Sequence, residues 1–245
     1  MNLVVFDIET TGLDKVKDQI IQFSAIKIDT ESNSIIGEFN EYIQPVGNYQ
    51  INYGAYFKHG ITPDFLKDKP HFEEVAPKII EFMSNDAILT YNGNGFDLPF
   101  LLNELAKYGL TLDIMNRPIY DAFLEEKRRN GNSLEETYKR YKGKSMEESG
   151  LKAHDALSDV KATYSVFYAQ QKNQPYEPEK IYGEDGVITN QEFRGETKPC
   201  FNIGKYKGLS VEFVSQIDQQ YLNWAVSSKC NFMPHTKNFI NQFIK

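Results

Sequence analysis

Residues 4–13 read VVFDIETTGL, a run of apolar, β-branched and aromatic side chains that carries an aspartate and a glutamate two positions apart. Such a run reads as a strand, and side chains at i and i+2 of a strand leave on the same face. Asp7 and Glu9 therefore share a face, just before Thr11-Gly12 turns the chain. Two like charges that close repel and raise each other's pKa, so stability alone disfavours the pair. Either the face is solvated or something positive sits between the carboxylates.

Outward from that strand, residues of about 19–29 and 35–44 read as two more, with turn chemistry at Ser32-Asn33. An antiparallel meander is the simplest arrangement. Beyond Pro63 the spacing of Phe72, Val75, Ile79, Ile80 and Met83 predicts a helix, and 87–90 reads as a short buried strand. Leu98, Leu101, Leu102, Leu105 and Tyr108 predict an amphipathic helix closed by Gly109. Further helices are predicted over 121–129 and about 156–170. Strands first, then alternating helix and strand, predict an α/β fold with helices packed on the sheet. Residues 174–197, with prolines, glycines and charges, read as a linker. It separates a domain over 1–173 from a small module over 198–245.

The chain has 245 residues, 13% of them aromatic, which argues against disorder. No apolar run is long enough to span a bilayer, and the sequence starts on a strand rather than a signal peptide. Cys200 and Cys230 lack CxxC spacing and read as reduced thiols, so a cytoplasmic protein is expected. A formal net charge of −7 argues weakly against a nucleic-acid partner. The stretch YKRYKGK (138–144) answers it in part by interleaving tyrosines with Lys139, Arg140, Lys142 and Lys144, as suits a single strand. A solvated helix face competes with that reading, and is the one given to Lys127, Arg128 and Arg129 of EEKRRN.

Two more acids stand at element boundaries. Asp97 lies where a glycine-rich turn meets a helix in LTYNGNGFDLPFL (89–101), and Asp159 lies in the first turns of the last helix in HDALSDVKAT (154–163). Ligand sites of α/β folds are assembled from such separate segments. Four carboxylates suit two Mg²⁺ or Mn²⁺ ions about 3.5–4 Å apart, a spacing fitted to in-line displacement at phosphorus. Bound ions would also offset part of the negative charge. His154 is the candidate general base, because imidazoles as a class exchange a proton near neutral pH.

Together FDIETTGL, YNGNGFDLPFL and HDALSDVKAT, in this order, closely resemble the three motifs of the DEDD-type 3′→5′ exonucleases of the DnaQ-like branch whose last motif carries a histidine. KHGITPDFL is similar to that family's substrate-contacting segment. The resemblance spans about residues 2–170 and implies a ribonuclease H-like fold, a mixed sheet with an antiparallel meander and parallel strands. It implies hydrolysis of nucleic acid from a free 3′ end, by two metal ions, with release of nucleoside 5′-monophosphates. Carried over, Asp7, Glu9, Asp97 and Asp159 are metal ligands and His154 the base. His59 and the main chain around Thr10 contact the terminal nucleotide, with Phe96 beside them, an ordinary loop residue being the competing role of His59. Leu13 is placed to wedge against the terminal base, although packing beneath the turn is the expected role. The second motif is longer than the commoner form, which leaves Tyr91 and Asn94 without a role.

Beyond the linker, Gly204-Lys205-Tyr206-Lys207-Gly208 and Tyr221-Leu222-Asn223-Trp224 resemble a small module that follows exonuclease X-type domains. Its lysines and aromatics suit nucleic acid, although core packing is the expected place for Trp224. That module favours DNA over RNA as substrate. The rivals are an exoribonuclease, a catalytically silent nucleic-acid-binding protein and a structural metal-binding protein. No membrane partner is expected.

Overall fold

The computed structural model describes residues 2–114, 117–127, 131–173, 175, 187–193 and 196–244. Most of the expected linker 174–197, and Arg128 and Arg129, lie outside the described residues. The chain divides into two compact units, Met1–Leu98 with Arg117–Glu179, and Pro99–Asn116 with Lys180–Lys245.

In the first unit β1 (Asn2–Thr10), β2 (Ile20–Asp29) and β3 (Ser34–Tyr42) form the antiparallel meander. Helices α1 (Tyr53–His59), α2 (Pro63–Leu66) and α3 (Phe72–Met83) follow, and β4 (Ala87–Thr90) then pairs parallel to β1. After α4 (Asp97–Lys107), which begins in this unit, β5 (Ile119–Asp121) adds parallel to β4, giving the order β3-β2-β1-β4-β5. Helices α5 (Leu134–Lys142) and α6 (Ala156–Asn173) complete the unit. This is the ribonuclease H-like mixed sheet that the motifs implied.

The period of β1 sorts its faces. Leu3 and Val5 meet Val160, Ala162, Val166 and Phe167 of α6 across a buried apolar cluster. Asp7 and Glu9 continue that same row beyond the apolar cover. On the opposite face Phe6 stacks on Phe23 at 5.6 Å, Phe23 meets Phe39, and Phe39 meets Phe82 of α3 at 5.5 Å.

Of the helix expected over 121–129, the described residues 121–127 form none. Asp121 ends β5, and the Phe123 N–H donates to its carboxylate at 3.0 Å, an Asx-type bond that diverts the backbone from a helix. The next residues run as i to i+3 turns, with Leu124 N–H to Asp121 O at 3.2 Å and Glu126 N–H to Phe123 O at 2.9 Å. Glu126 is buried rather than solvated and is paired with Arg140 at 2.5 Å. YKRYK is thus helix α5, with Tyr138 in the core and Arg140 engaged in structure.

The second unit pairs β6 (Ile188–Phe193) with β7 (Glu196–Phe201) and adds α7 (Val211–Ile217), α8 (Gln219–Val226) and α9 (Pro234–Asn241). Val187, Ile188, Phe201, Val211, Val214, Leu222, Ala225 and Ile240 make its core. Trp224 is not part of it: the indole is 44% exposed. Cys200 and Cys230 are both buried. Among the described residues no helix is long and apolar enough to cross a membrane.

Candidate active site

The site forms where β1 outruns its parallel neighbour. β4 pairs with Leu3, Val4 and Val5, and among the described residues the edge of β1 beyond them has no strand partner. The Ile8 N–H is satisfied instead by Asp97 Oδ1 at 3.3 Å, which brings the first residue of α4 beside Asp7. Gly93 makes the approach possible. A Cβ there would stand 2.6 Å from Thr90 Cβ and 2.8 Å from Asp97 Oδ2. Asp159 arrives from the first turn of α6, the helix already packed over Leu3 and Val5.

The electrostatics follow from that gathering. Burial, then Asp97, Glu9 and Asp159, push the Asp7 carboxyl well above its ordinary value. Burial, then Asp159 and Asp97, raise Glu9 to about 8, with Lys58 of α1 opposing. Asp97 is raised to about 7 by burial, against the Ile8 N–H, and Asp159 to about 7 by burial, against the His154 N–H. Asp155, which the motif reading passed over, adds a fifth negative charge beside Asp7, Glu9 and Asp159. It accepts Ser158 N–H at 3.1 Å and Ser158 O–H at 2.8 Å just ahead of α6.

The acids are close enough to act on one another's charge without closing into a ready shell. Among the described residues no three of His, Cys, Asp or Glu are drawn to ligating distance. Mutual repulsion opposes closer approach, and a divalent cation would reverse its sign. The donor set is all carboxylate oxygen with one imidazole nearby and no thiol. It fits a hard cation such as Mg²⁺ or Mn²⁺.

His154 adopts φ +60°, an αL conformation uncommon outside glycine. Its N–H donates to Asp159 Oδ2 at 3.1 Å, so the backbone ties the histidine to a site acid while the imidazole projects to solvent. Thr10 is buried, and its hydroxyl donates to Gly12 O at 2.7 Å. Asp18 braces the same turn through Thr11 O–H at 2.9 Å and Asp14 N–H at 2.9 Å. Leu13 is thereby held outward, 78% exposed, rather than packed beneath the turn. His59 Nδ1 accepts Ile61 N–H at 2.9 Å, which places the ring proton of a neutral His59 on Nε2. That buried nitrogen finds no partner of good geometry, although the Thr10 main chain lies beside it. Burial keeps His59 below the ordinary imidazole range. Phe96 is half-buried, with Lys15 Nζ 5.6 Å from its ring centre.

Three supports escaped the sequence reading. Ser24 and Gln22 lie opposite Asp7 and Glu9 on β2, and both donate to Asn40 Oδ1, at 2.8 and 2.9 Å. Polar residues at alternate positions of the apolar run IIQFSAI were the signal. Tyr91 donates to Asn132 O at 2.5 Å and bonds the Thr137 hydroxyl at 2.7 Å, pinning the long second motif to α5. Asp121 accepts N–H bonds from Asn92 at 2.7 Å, Asn94 at 3.1 Å and Phe123 at 3.0 Å. It shapes the loop that delivers Asp97. Replacing it with alanine orphans three part-buried amides, at a cost of about 2 kcal/mol in denaturant unfolding. Turnover falls roughly 10- to 100-fold, the scale for a group that orients a ligand. An Asp121→Ala protein with normal turnover would remove this role.

A family model described as an exonuclease (RNase_T) matches residues 4–167. A DNA polymerase III PolC-type protein of Caldanaerobacter subterraneus subsp. tengcongensis is 31% identical over 207 residues, covering 82% of this chain and 14% of that protein. A DNA polymerase III subunit epsilon of Rickettsia felis is 30% identical over 172 residues, covering 67% of this chain and 71% of that protein. A structure of E. coli exonuclease I in complex with a dA16 oligonucleotide has the same fold, with TM-score 0.60 at 24% identity, over 71% of this chain and 41% of that one. The chain thus spans about one seventh of the PolC-type relative and less than half of exonuclease I.

Proposed function

This chain belongs to the exonuclease family matched above, and on that premise we propose that it hydrolyses nucleic acid from a free 3′ end, with DNA the favoured substrate. One observation carries the reading: Asp7, Glu9, Asp97 and Asp159, from three distant segments, meet in one recess with His154 tethered beside them. A catalytically silent binding protein would have no use for all five. Kinship to two DNA polymerase III proteins supports DNA.

Asp7, Glu9, Asp97 and Asp159 would hold divalent cations, which when bound neutralise the charge of the reacting phosphate and promote attack by water. His154 accepts the proton of that water at its imidazole. Lys58, close enough to oppose the rise of Glu9, adds positive charge at the phosphate entrance. His59 and the Thr10 main chain lie beside the terminal nucleotide, and Leu13 presents an apolar edge to its base.

The approach to the recess favours an unpaired strand. Asn52, which caps α1, donates its N–H to Thr11 O at 2.7 Å, fixing that helix to the first motif. Tyr53 and Phe57, 78% and 79% exposed, stand one turn apart with ring centres 6.4 Å apart. Aromatic faces so open take bases by stacking, worth about 1–3 kcal/mol each. The double replacement Tyr53→Ala with Phe57→Ala should raise KM for single-stranded DNA by about tenfold or more and leave kcat nearly unchanged. An unchanged KM would dismiss the platform.

The reading is tested with 5′-labelled single-stranded DNA, duplex DNA and RNA, each incubated with Mg²⁺ or with EDTA. A ladder shortening from the 3′ end, lost with EDTA, is expected on DNA. A ladder on RNA alone would make the protein an exoribonuclease. Binding without cleavage of any substrate would end the catalytic reading.

A further inference from the structure

We propose that the second unit carries a separate binding surface for single-stranded nucleic acid, on which Trp224 stacks a base. The proposal does not depend on the catalytic reading, because every residue in it lies outside the first unit.

Four side chains form a continuous run. Lys205 Nζ lies 4.7 Å from the centre of the Tyr206 ring. Tyr206 meets Tyr221 edge-on at 4.8 Å, and Tyr221 meets Trp224 at 5.4 Å with a 40° tilt. Tyr206 and Tyr221 are partly buried against the core, so the run is anchored at its base. Trp224, on the same helix as Tyr221, carries it to an exposed indole, whose other ring neighbour is Phe232 at 6.1 Å. A large flat ring held by packed neighbours and left open on one side loses little entropy when a planar ligand covers it.

The charge around it selects the ligand. Residues 198–245 hold six lysines and two acids, a formal +4 in a chain of −7. Both acids are already spent in ion pairs, Asp218 with Lys205 at 3.0 Å and Glu212 with Lys198 at 3.3 Å. Tyr206 O–H also donates to Asp218, at 2.5 Å. Lys207 shares with Lys205 a turn bounded by Gly204 at φ +75° and Gly208 at φ +82°. Lys229 follows α8, its N–H donating to Ser227 Oγ, which in turn donates to Trp224 O. Among the described residues neither Lys207 nor Lys229 is paired with an acid. Exposed cations beside an open indole suit a polyanion that also offers flat faces. A single strand has both, whereas a duplex hides its base faces.

Trp224 is the only tryptophan of the chain, so its emission reports this unit alone. The full chain carrying Asp7→Ala, in EDTA, is titrated with a single-stranded oligodeoxynucleotide, and tryptophan emission and oligonucleotide anisotropy are followed together. Saturable quenching is expected, weaker with a duplex and absent with inorganic polyphosphate. Trp224→Ala should weaken binding about 5- to 150-fold and Trp224→Phe much less. Lys207→Gln should reduce the slope of log affinity against log salt by about 0.7. Bound DNA with unchanged emission, equal quenching by duplex or polyphosphate, or no binding at all would each overturn the proposal. Since the first titration uses the native tryptophan, a poorly folding variant does not obscure the result.

Discussion

Asp7→Asn will abolish hydrolysis and, in the absence of divalent metal, raise the thermal midpoint of the protein. The two effects have one cause. Burial, with Asp97, Glu9, Asp159 and Asp155, holds the Asp7 pKa far up, and burial is also the first cause that raises Glu9, Asp97 and Asp159. A carboxyl whose folded pKa exceeds its unfolded value binds protons more tightly in the folded state. The stabilisation is therefore complete below the ordinary value of about 4, and is lost as pH rises through the folded values of about 7 to 8. Metal-free protein should accordingly melt lower at pH 8 than at pH 5. An amide at residue 7 removes one charge from the cluster, so the variant should gain a few degrees at pH 8. Mg²⁺ should raise the midpoint of the unmodified protein at pH 8 and barely move that of the variant. Loss of a ligand that supports several kcal/mol of transition-state stabilisation lowers turnover by about 10³-fold or more. Turnover close to normal, or a metal-free midpoint that falls, would show that these acids are not a cation site.

The acids of β1 were readable because a strand has period 2, so the face of Glu9 follows from that of Asp7 with no knowledge of the rest of the chain. Asp97 and Asp159 were readable from the motifs around them. What holds them was less so. Asp121 works through amides of residues 92 and 94, far back in the sequence, and its strand has only three residues, too few to show a period. The residues from Asp121 on were instead read as a helix. The exposures of Leu13 and Trp224 were misjudged for a related reason: a large apolar side chain is normally inside, and only tertiary packing decides otherwise. Beside Leu13, Asp18 stands against Gly12 and accepts the Thr11 hydroxyl, a tertiary arrangement of the turn that the local sequence does not show. Helix α1 did leave local signs, an Asn52 cap and Gly60 in αL at its end, but its aromatic face matters only because Asn52 is bonded to Thr11.

His154→Gly will lower kcat by about 10²- to 10⁴-fold while leaving the Mg²⁺-induced rise in thermal midpoint intact. Glycine is the informative replacement here. Residue 154 sits at φ +60°, which glycine adopts without penalty, and its N–H still donates to Asp159 Oδ2. The backbone tether thus survives, and only the imidazole is lost. If the histidine served the fold, through its αL turn or its bond to Asp159, the glycine variant would behave normally. If it takes the proton of the attacking water, the variant fails in kcat and added imidazole restores part of the rate. A metal ligand at this position would instead show a smaller Mg²⁺-induced shift and no rescue. Near-normal kcat in the glycine variant would return the proton to some other acceptor and leave His154 as a turn residue.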